Sequence, residues 1–253
     1  MKYELSKLSF VGSKNIPFKF KKSSVSLHPM EEFFKDIIPF STLFMSALGL
    51  FVASFSSLFS VVNPFATMPI YISLMEGQAD SEKVRTARKA SMYMFFVLIT
   101  FLLIGTYILS FFGISLPGIQ IAGGLVIVRS GFSMLSPDSG GRKLTKKDQE
   151  AAMEKEDVSF SPLAMPLLSG PGSIAVVIGF GSEAQEVTDY IVNGFAVFVT
   201  AVFAYLILRI SPKLVKYIGS SGMTVITRMM GFIVLAIGVQ FVINGISKFY
   251  GLG

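Results

Sequence analysis

Five stretches of the chain contain no Asp, Glu, Lys or Arg: residues 37–75, 90–128, 158–182, 190–208 and 229–247. Two of them are 39 residues long, and the others have 25, 19 and 19. A helix of about 20 apolar residues crosses the roughly 30 Å bilayer core, so every stretch is long enough to span it. All 16 acidic residues lie outside these stretches. Soluble domains scatter about 25% charged residues along the chain; here the figure is 15%, gathered into islands. The pattern predicts an all-α integral membrane protein with several crossings. It excludes a disordered chain and a coiled coil. The absence of cysteine excludes a disulfide framework, a thiolate metal site and a Cys nucleophile.

Both 39-residue stretches exceed one crossing. The first, as a straight helix, would reach about 58 Å. It contains Asn63-Pro64 and Pro69, where a helix is expected to break. The span is placed near 50–75, and 37–49 becomes an interfacial segment. The second is interrupted at Gly113-Ile114-Ser115-Leu116-Pro117-Gly118, a turn sequence. It splits into helices near 91–111 and 117–136, with Arg129 snorkelling to the interface. Six spans result, near 50–75, 91–111, 117–136, 160–182, 190–208 and 229–248. The organisation expected is a basic tail and interfacial segment over 1–49, three helices over 50–137, a polar linker over 138–157, and three helices over 158–253.

The loops 76–89, 129–157 and 209–228 hold fourteen Lys and Arg, whereas 112–116, 183–189 and the C-terminal tail hold only Lys248. The positive-inside rule puts the three basic loops in the cytoplasm and the C-terminus in the periplasm. The net charge of +6 is then a topology signal, and no nucleic-acid partner is expected. The first 42 residues oppose this, since seven lysines there ought to stay inside. The tail translocates, or a seventh span over 37–54 keeps it inside, or translation starts at Met30 and leaves only Lys35. A transit segment is a further reading of a basic, Ser-rich tail.

A shift of 107 residues, without gaps, lays Pro64 on Pro171, Glu76 on Glu183 and Gln78 on Gln185. It also lays Ile119 on Ile226, Gly124 on Gly231 and Gly131 on Gly238. Three spans per repeat is odd, so the second repeat enters the membrane upside down. A 3+3 inverted repeat with Pro- or Gly-broken helices at matching places is a transporter architecture, and the breaks point to the binding site.

Each break starts a half-helix whose first N–H groups lack partners and carry partial positive charge. These groups belong to Phe65, Ala66 and Thr67 after Pro64, and to Gly172, Ser173 and Ile174 after Pro171. They suit a carboxylate. Asn63, Thr67, Ser169 and Ser173 add polar side chains, while Gly170 and Gly172 permit close approach. The plainer reading is a packing kink, common in membrane helices; two kinks at equivalent places favour a site. Gly123, Gly124, Gly131, Gly231 and Gly238 read as close-packing faces. Gln120, Asn193, Gln240 and Asn244 read as helix–helix hydrogen-bonding amides. Glu76 and Glu183 end the two broken helices as gates or, more simply, as interfacial carboxylates.

No Asp, Glu or His lies within a span, and the single histidine is His28. Proton-coupled carriers usually need such a group. No HExxH or phosphate-binding loop is present, so no enzyme, metal site or cofactor is expected. Na⁺ needs only carbonyl and hydroxyl oxygens at helix breaks, which Thr67, Ser169, Gly170 and Ser173 would supply. Na⁺ is therefore the expected coupling ion, unless transport is uncoupled.

Four motifs in order carry a family resemblance: Val62-Asn63-Pro64-Phe65; Phe112-Gly113-Ile114-Ser115 with Ile121-Ala122-Gly123-Gly124; Pro162-Leu163-Ala164-Met165-Pro166 with Gly170-Pro171-Gly172; and Ile226-Thr227-Arg228-Met229-Met230-Gly231. Together they resemble the MarC family of bacterial inner-membrane proteins, from about residue 50 to 248. The resemblance implies six spans in the inner (plasma) membrane and a grouping with small-neutral-amino-acid transporters. One departure is Gln120, where many relatives carry Arg; a role held by that Arg does not transfer to this chain. The expected function is a secondary transporter or facilitator of a small solute such as a neutral amino acid. The alternative is a non-transporting membrane protein that acts as an interaction or stress-response partner.

Overall fold

The computed structural model describes residues 28–136 and 157–252, with side chains from Phe44 onward except Ser220. The tail before His28 and nearly all of the expected 138–157 linker lie outside the described residues. Two compact units divide at Thr42 and Leu43. In the first, the described residues are helical. All that follows concerns the second.

Helix α1 (His28–Val62) leads into α2 (Pro64–Leu74), α3 (Asp80–Phe111) and α4 (Leu116–Leu135). After 137–156 come an irregularly wound segment, Ser159–Leu168, and α5 (Pro171–Glu183). Two long helices close the chain, α6 (Val187–Gly219) and α7 (Ser221–Tyr250). No strand occurs among the described residues. Five units are long and apolar enough to cross a bilayer: Phe44–Leu74, α3, α4, α6 and α7. The Ser159–Leu168 segment and α5, bent by 64°, make a sixth if together they cross once.

The crossings fall where the charge-free stretches put them, but the helices overrun them. Helix α3 starts at Asp80, and α6 and α7 run through the basic stretch 209–228 with one break, at Gly219. Charge marks where the bilayer ends, not where the helix ends, because Lys, Arg and Glu are good helix formers. Gly219 has φ 74°, a conformation open to glycine at little cost. Residues 43–49 lie within helix α1. The described residues contain no seventh crossing.

The first long unit breaks at Asn63 alone. Asn63 has φ 45° and ψ 70°, a left-handed conformation that asparagine tolerates better than most residues. Pro64 then opens α2 at the position where a missing N–H costs nothing. Pro69 lies inside α2 without ending it, against expectation.

Outward faces are apolar. Leu103, Ile104 and Tyr107 of α3, Phe132 of α4 and Phe232 of α7 are all more than 40% exposed, as lipid-facing side chains would be. Inward lie Leu58, Val61, Met68, Met94, Leu98, Leu102, Val176, Val177 and Leu208. Small residues allow backbones to approach. A Cβ on Gly181 of α5 would collide with the Leu102 carbonyl of α3. Along α4 and α7, Gly124 opposes Gly238 and Gly131 opposes Gly231, so the two helices run antiparallel in close contact.

Candidate solute site at two helix breaks

The first break is built by Asn63. Its N–H donates to the Phe59 carbonyl at 2.9 Å, which closes α1. Its side-chain oxygen accepts the Ala66 N–H at 3.2 Å and so caps α2. Its amide nitrogen faces Met134 Sδ of α4 at 3.5 Å. Thr67 donates its hydroxyl to the Asn63 carbonyl at 3.5 Å. Asn63, Pro64, Ala66 and Thr67 are buried; Phe65 is half-buried, with its ring edge-on to Phe59.

The second break is looser. Ser161-Pro162 and Met165-Pro166 are cis, and the segment winds with wide turns in which Leu163 N–H reaches Val158 O and Ser169 N–H reaches Ala164 O. Prolines at 162 and 166 remove the N–H groups a regular helix would need, so the segment cannot close as one. Ser169 donates its hydroxyl to the Ala164 carbonyl at 2.7 Å, and Ser173 donates to the Leu168 carbonyl at 3.2 Å. Gly170 is extended and gives α5 no side-chain cap. Ser169, Gly170, Gly172 and Ser173 are buried, whereas Pro171 is exposed.

The two breaks lie beside each other. A Cβ on Gly172 would sit 3.4 Å from Val61, two residues before Asn63, and 2.8 Å from Ile127 of α4. Helix α4 thus walls both breaks, through Ile127 at one and Met134 at the other. Protein fills the space beside both glycines, since a Cβ on Gly170 would meet the Pro166 carbonyl at 2.8 Å.

The chemistry left over is specific. The hydroxyls of Thr67, Ser169 and Ser173 spend their protons on backbone carbonyls at the breaks, and keep their lone pairs. Those oxygens suit a cation or a donor group. At the first break the Ala66 N–H is already taken by Asn63. At the second, the N–H groups of Gly172 and Ser173 open an uncapped helix and are the better anion ligands. Among the described residues, no three His, Asp or Glu side chains gather as a metal site.

A second polar cluster was not legible as such. Gln120 of α4 donates to Glu183 at the end of α5 at 3.4 Å, and Lys248 of α7 lies 2.5 Å from the same carboxylate oxygen. A cleft of about 270 Å³ opens beside them. Separately, the Ser54 hydroxyl of α1 bonds the Asn193 side chain of α6 at 2.6 Å within the core. At the opposite end of the bundle Glu76 lies in a cleft with Tyr71 and Lys83.

Membrane-length apolar helices, lipid-type outward faces and breaks satisfied from within define a polytopic α-helical integral membrane protein. The chain belongs to the MarC family: it matches the family described as MarC family integral membrane protein over residues 48–250. It is 38% identical to a UPF0056 membrane protein of Methanocaldococcus jannaschii over 199 residues, 79% of this chain and 97% of that one. It is 32% identical to the UPF0056 membrane protein YhcE of Escherichia coli K12 over 197 residues, 78% of this chain and 91% of that protein. It is 32% identical to the UPF0056 inner membrane protein MarC of Escherichia coli O1:K1 over 205 residues, 76% of this chain and 91% of that protein. No solved structure matches the chain.

Proposed function

We propose that this chain is a secondary transporter or facilitator for a small zwitterionic solute, such as a neutral amino acid, and catalyses no chemical step. The observation that carries the reading is the adjacency of two Pro-led half-helices, at Asn63-Pro64 and Gly170-Pro171, buried against one helix. Buried irregular backbone inside a membrane protein is tolerated where it lines a pathway or is covered by protein. In this reading the Gly172 and Ser173 N–H groups take the carboxylate, and the Thr67, Ser169 and Ser173 oxygens take Na⁺ or the ammonium.

The proposal includes the inverted repeat. Its support is a matched set of boundaries: a shift of 107 carries Pro64 at the start of α2 to Pro171 at the start of α5, and Asp80 of α3 to Val187 of α6. The glycine contacts add a second support. Gly124 meets Gly238, the counterpart of Gly131, and Gly131 meets Gly231, the counterpart of Gly124. Such crossed pairing is what a two-fold axis produces. Between antiparallel helices that axis lies across them, hence in the membrane plane. The proposed home is the inner (plasma) membrane, with basic loops cytoplasmic and the C-terminus periplasmic. A reporter fused after Gly253 then reads periplasmic and one at Gly141 cytoplasmic; the opposite pair reverses the orientation.

A second reading is favoured by one observation: the Asn63, Thr67, Ser169 and Ser173 side chains all bond to their own breaks. On that reading the breaks are structural and the protein serves as a membrane partner for another. Counterflow in proteoliposomes with a panel of small amino acids separates the two. Exchange of at least one solute, reduced by Ser173→Ala or Gly172→Val, supports the transporter; silence across the panel supports the partner.

A further inference from the structure

We propose that the cleft walled by α1, α4, α5 and α7 is a binding site for a primary ammonium group, in which Glu183 is the recognising carboxylate, Gln120 the second acceptor, and Lys248 a tethered occupant that a small amine-bearing solute displaces.

The cleft measures about 270 Å³. Its polar lining is Ser54, Ser57, Gln120, Glu183, Gln240 and Asn244, beside the rings of Phe180 and Phe241. None of the ten residues at the helix breaks lines it. The inference concerns binding and stands apart from the transport reading.

Gln120 is buried, and its Nε2 donates to Glu183 Oε1 at 3.4 Å. A carboxylate only accepts, so the amide must turn its NH₂ end to Glu183 and its oxygen away. That oxygen is buried and has no hydrogen-bond partner. A buried acceptor without a partner is rare and calls for a donor. Gln120, with its unpartnered oxygen, and the charged Glu183 thus both belong to the wall of the cleft. They select a positively charged group with several N–H bonds. A primary ammonium offers three.

Lys248 shows that Glu183 accepts this group, because its Nζ already lies 2.5 Å from Oε1. The pair is half exposed, at 43% for Lys248 and 56% for Glu183. An exposed ion pair on a flexible four-carbon stem is weakly held, so a free ammonium competes with it. The cleft is slightly smaller than pockets for drug-sized ligands, which run from about 300 Å³ upward, and so fits a small solute.

The test is calorimetric titration of the full chain in detergent micelles with four probes: ethylammonium, L-alanine, propionate and tetramethylammonium. Ethylammonium and L-alanine are expected to bind. Propionate lacks the cation and tetramethylammonium lacks N–H bonds, so neither is expected to. Lys248→Met should tighten ethylammonium binding about tenfold, Gln120→Leu should weaken it about tenfold, and Glu183→Gln should abolish it. Circular dichroism confirms that each variant is folded. Propionate binding as well as ethylammonium, undiminished binding in folded Glu183→Gln, or no gain in Lys248→Met overturns the site. The last comparison decides alone if Glu183→Gln does not fold. Solute uptake without the expected pattern of probe binding overturns this site but leaves the transporter proposal standing. Probe binding that follows the expected pattern without uptake of any solute does the reverse.

Discussion

Lys89 of α3 places its ammonium 2.6 Å from Oδ2 of Asp157, the residue that leads into the irregular Ser159–Leu168 segment. The other carboxylate oxygen of Asp157 accepts the N–H of Ser159 at 2.9 Å and also its hydroxyl. One side chain thus ties the third helix to the start of the second half of the chain. The hydrogen bond from Lys89, with those from Ser159, lowers the Asp157 carboxyl to about 2. A folded-state value below the ordinary 3.8 means that the stabilisation is fully present above about pH 4 and is lost as pH falls towards 2. Asp157 is 46% exposed, so screening limits the effect to about 1 kcal/mol or less. Asp157→Asn should therefore lower the melting temperature of the protein in detergent at pH 7, and the gap to the parent should close between pH 4 and pH 2. A gap that stays constant down to pH 2 would show that the ion pair contributes nothing.

The α4–α7 crossing depends on residues without side chains. A Cβ on Gly124 would come within 2.8 Å of the Gly238 carbonyl, and one on Gly238 within 2.6 Å of the Val128 backbone nitrogen. Neither obstacle is a flexible side-chain tip, so the helices must separate. Overpacking of this kind costs about 1–3 kcal/mol. Gly124→Ala is expected to be destabilising by that amount, and Gly124→Val by more. Gly49, with open space around it, serves as the control: Gly49→Ala should change little. Equal melting temperatures for Gly124→Ala and Gly49→Ala would remove the argument.

Asn63 does two jobs, and two substitutions separate them. It adopts φ 45° and it caps α2 through Ala66. Alanine loses the cap, for about 1 kcal/mol, and also disfavours the conformation. Glycine loses the side chain but accepts the conformation at almost no cost. Asn63→Gly should be folded and closer in stability to the parent than Asn63→Ala. Thermal unfolding in detergent reads the order, and Asn63→Ala as the more stable variant would contradict this account of the break.

The parts of this architecture written in the sequence are those decided locally. Pro64 and Pro171 break helices because a proline lacks an N–H wherever it sits, and the structure has breaks at both. Charge-free runs reveal crossings because the bilayer acts on each residue separately. What depends on partners did not show. Pro69 and Pro212 also lack an N–H but lie inside helices that continue past them. The break at Gly219 follows the basic residues Lys213 and Lys216 and ends no apolar run. Gln120, Glu183 and Lys248 come together only because α4, α5 and α7 share one end of the bundle, and separations of 63 and 65 residues leave no periodic signal. A buried amide with an unpartnered oxygen becomes visible only once its neighbours are placed.

For the transporter proposed above, the expected coupling ion rests on which atoms sit where. The charge-free stretches hold no carboxylate or imidazole, so a proton crossing the bundle has no side chain to carry it through the middle. The two breaks offer hydroxyl oxygens instead. Thr67, Ser169 and Ser173 donate to backbone carbonyls and keep lone pairs that a hard monovalent cation can use. Glu76 and Glu183 lie at opposite ends of the bundle, each in a cleft, with the charge-free helices between them. Uptake by the transporter proposed above should therefore be driven by a Na⁺ gradient at uniform pH, or run downhill with no ion at all. A pH gradient in Na⁺-free buffer should give no accumulation. The double variant Thr67→Val with Ser173→Ala removes two of the oxygens and should raise the half-saturating Na⁺ concentration about tenfold or more, while Ser110→Ala, on an exposed face of α3, should not. Accumulation driven by the pH gradient alone, and lost in Glu76→Gln, would sink Na⁺ coupling and make Glu76 the proton-carrying group.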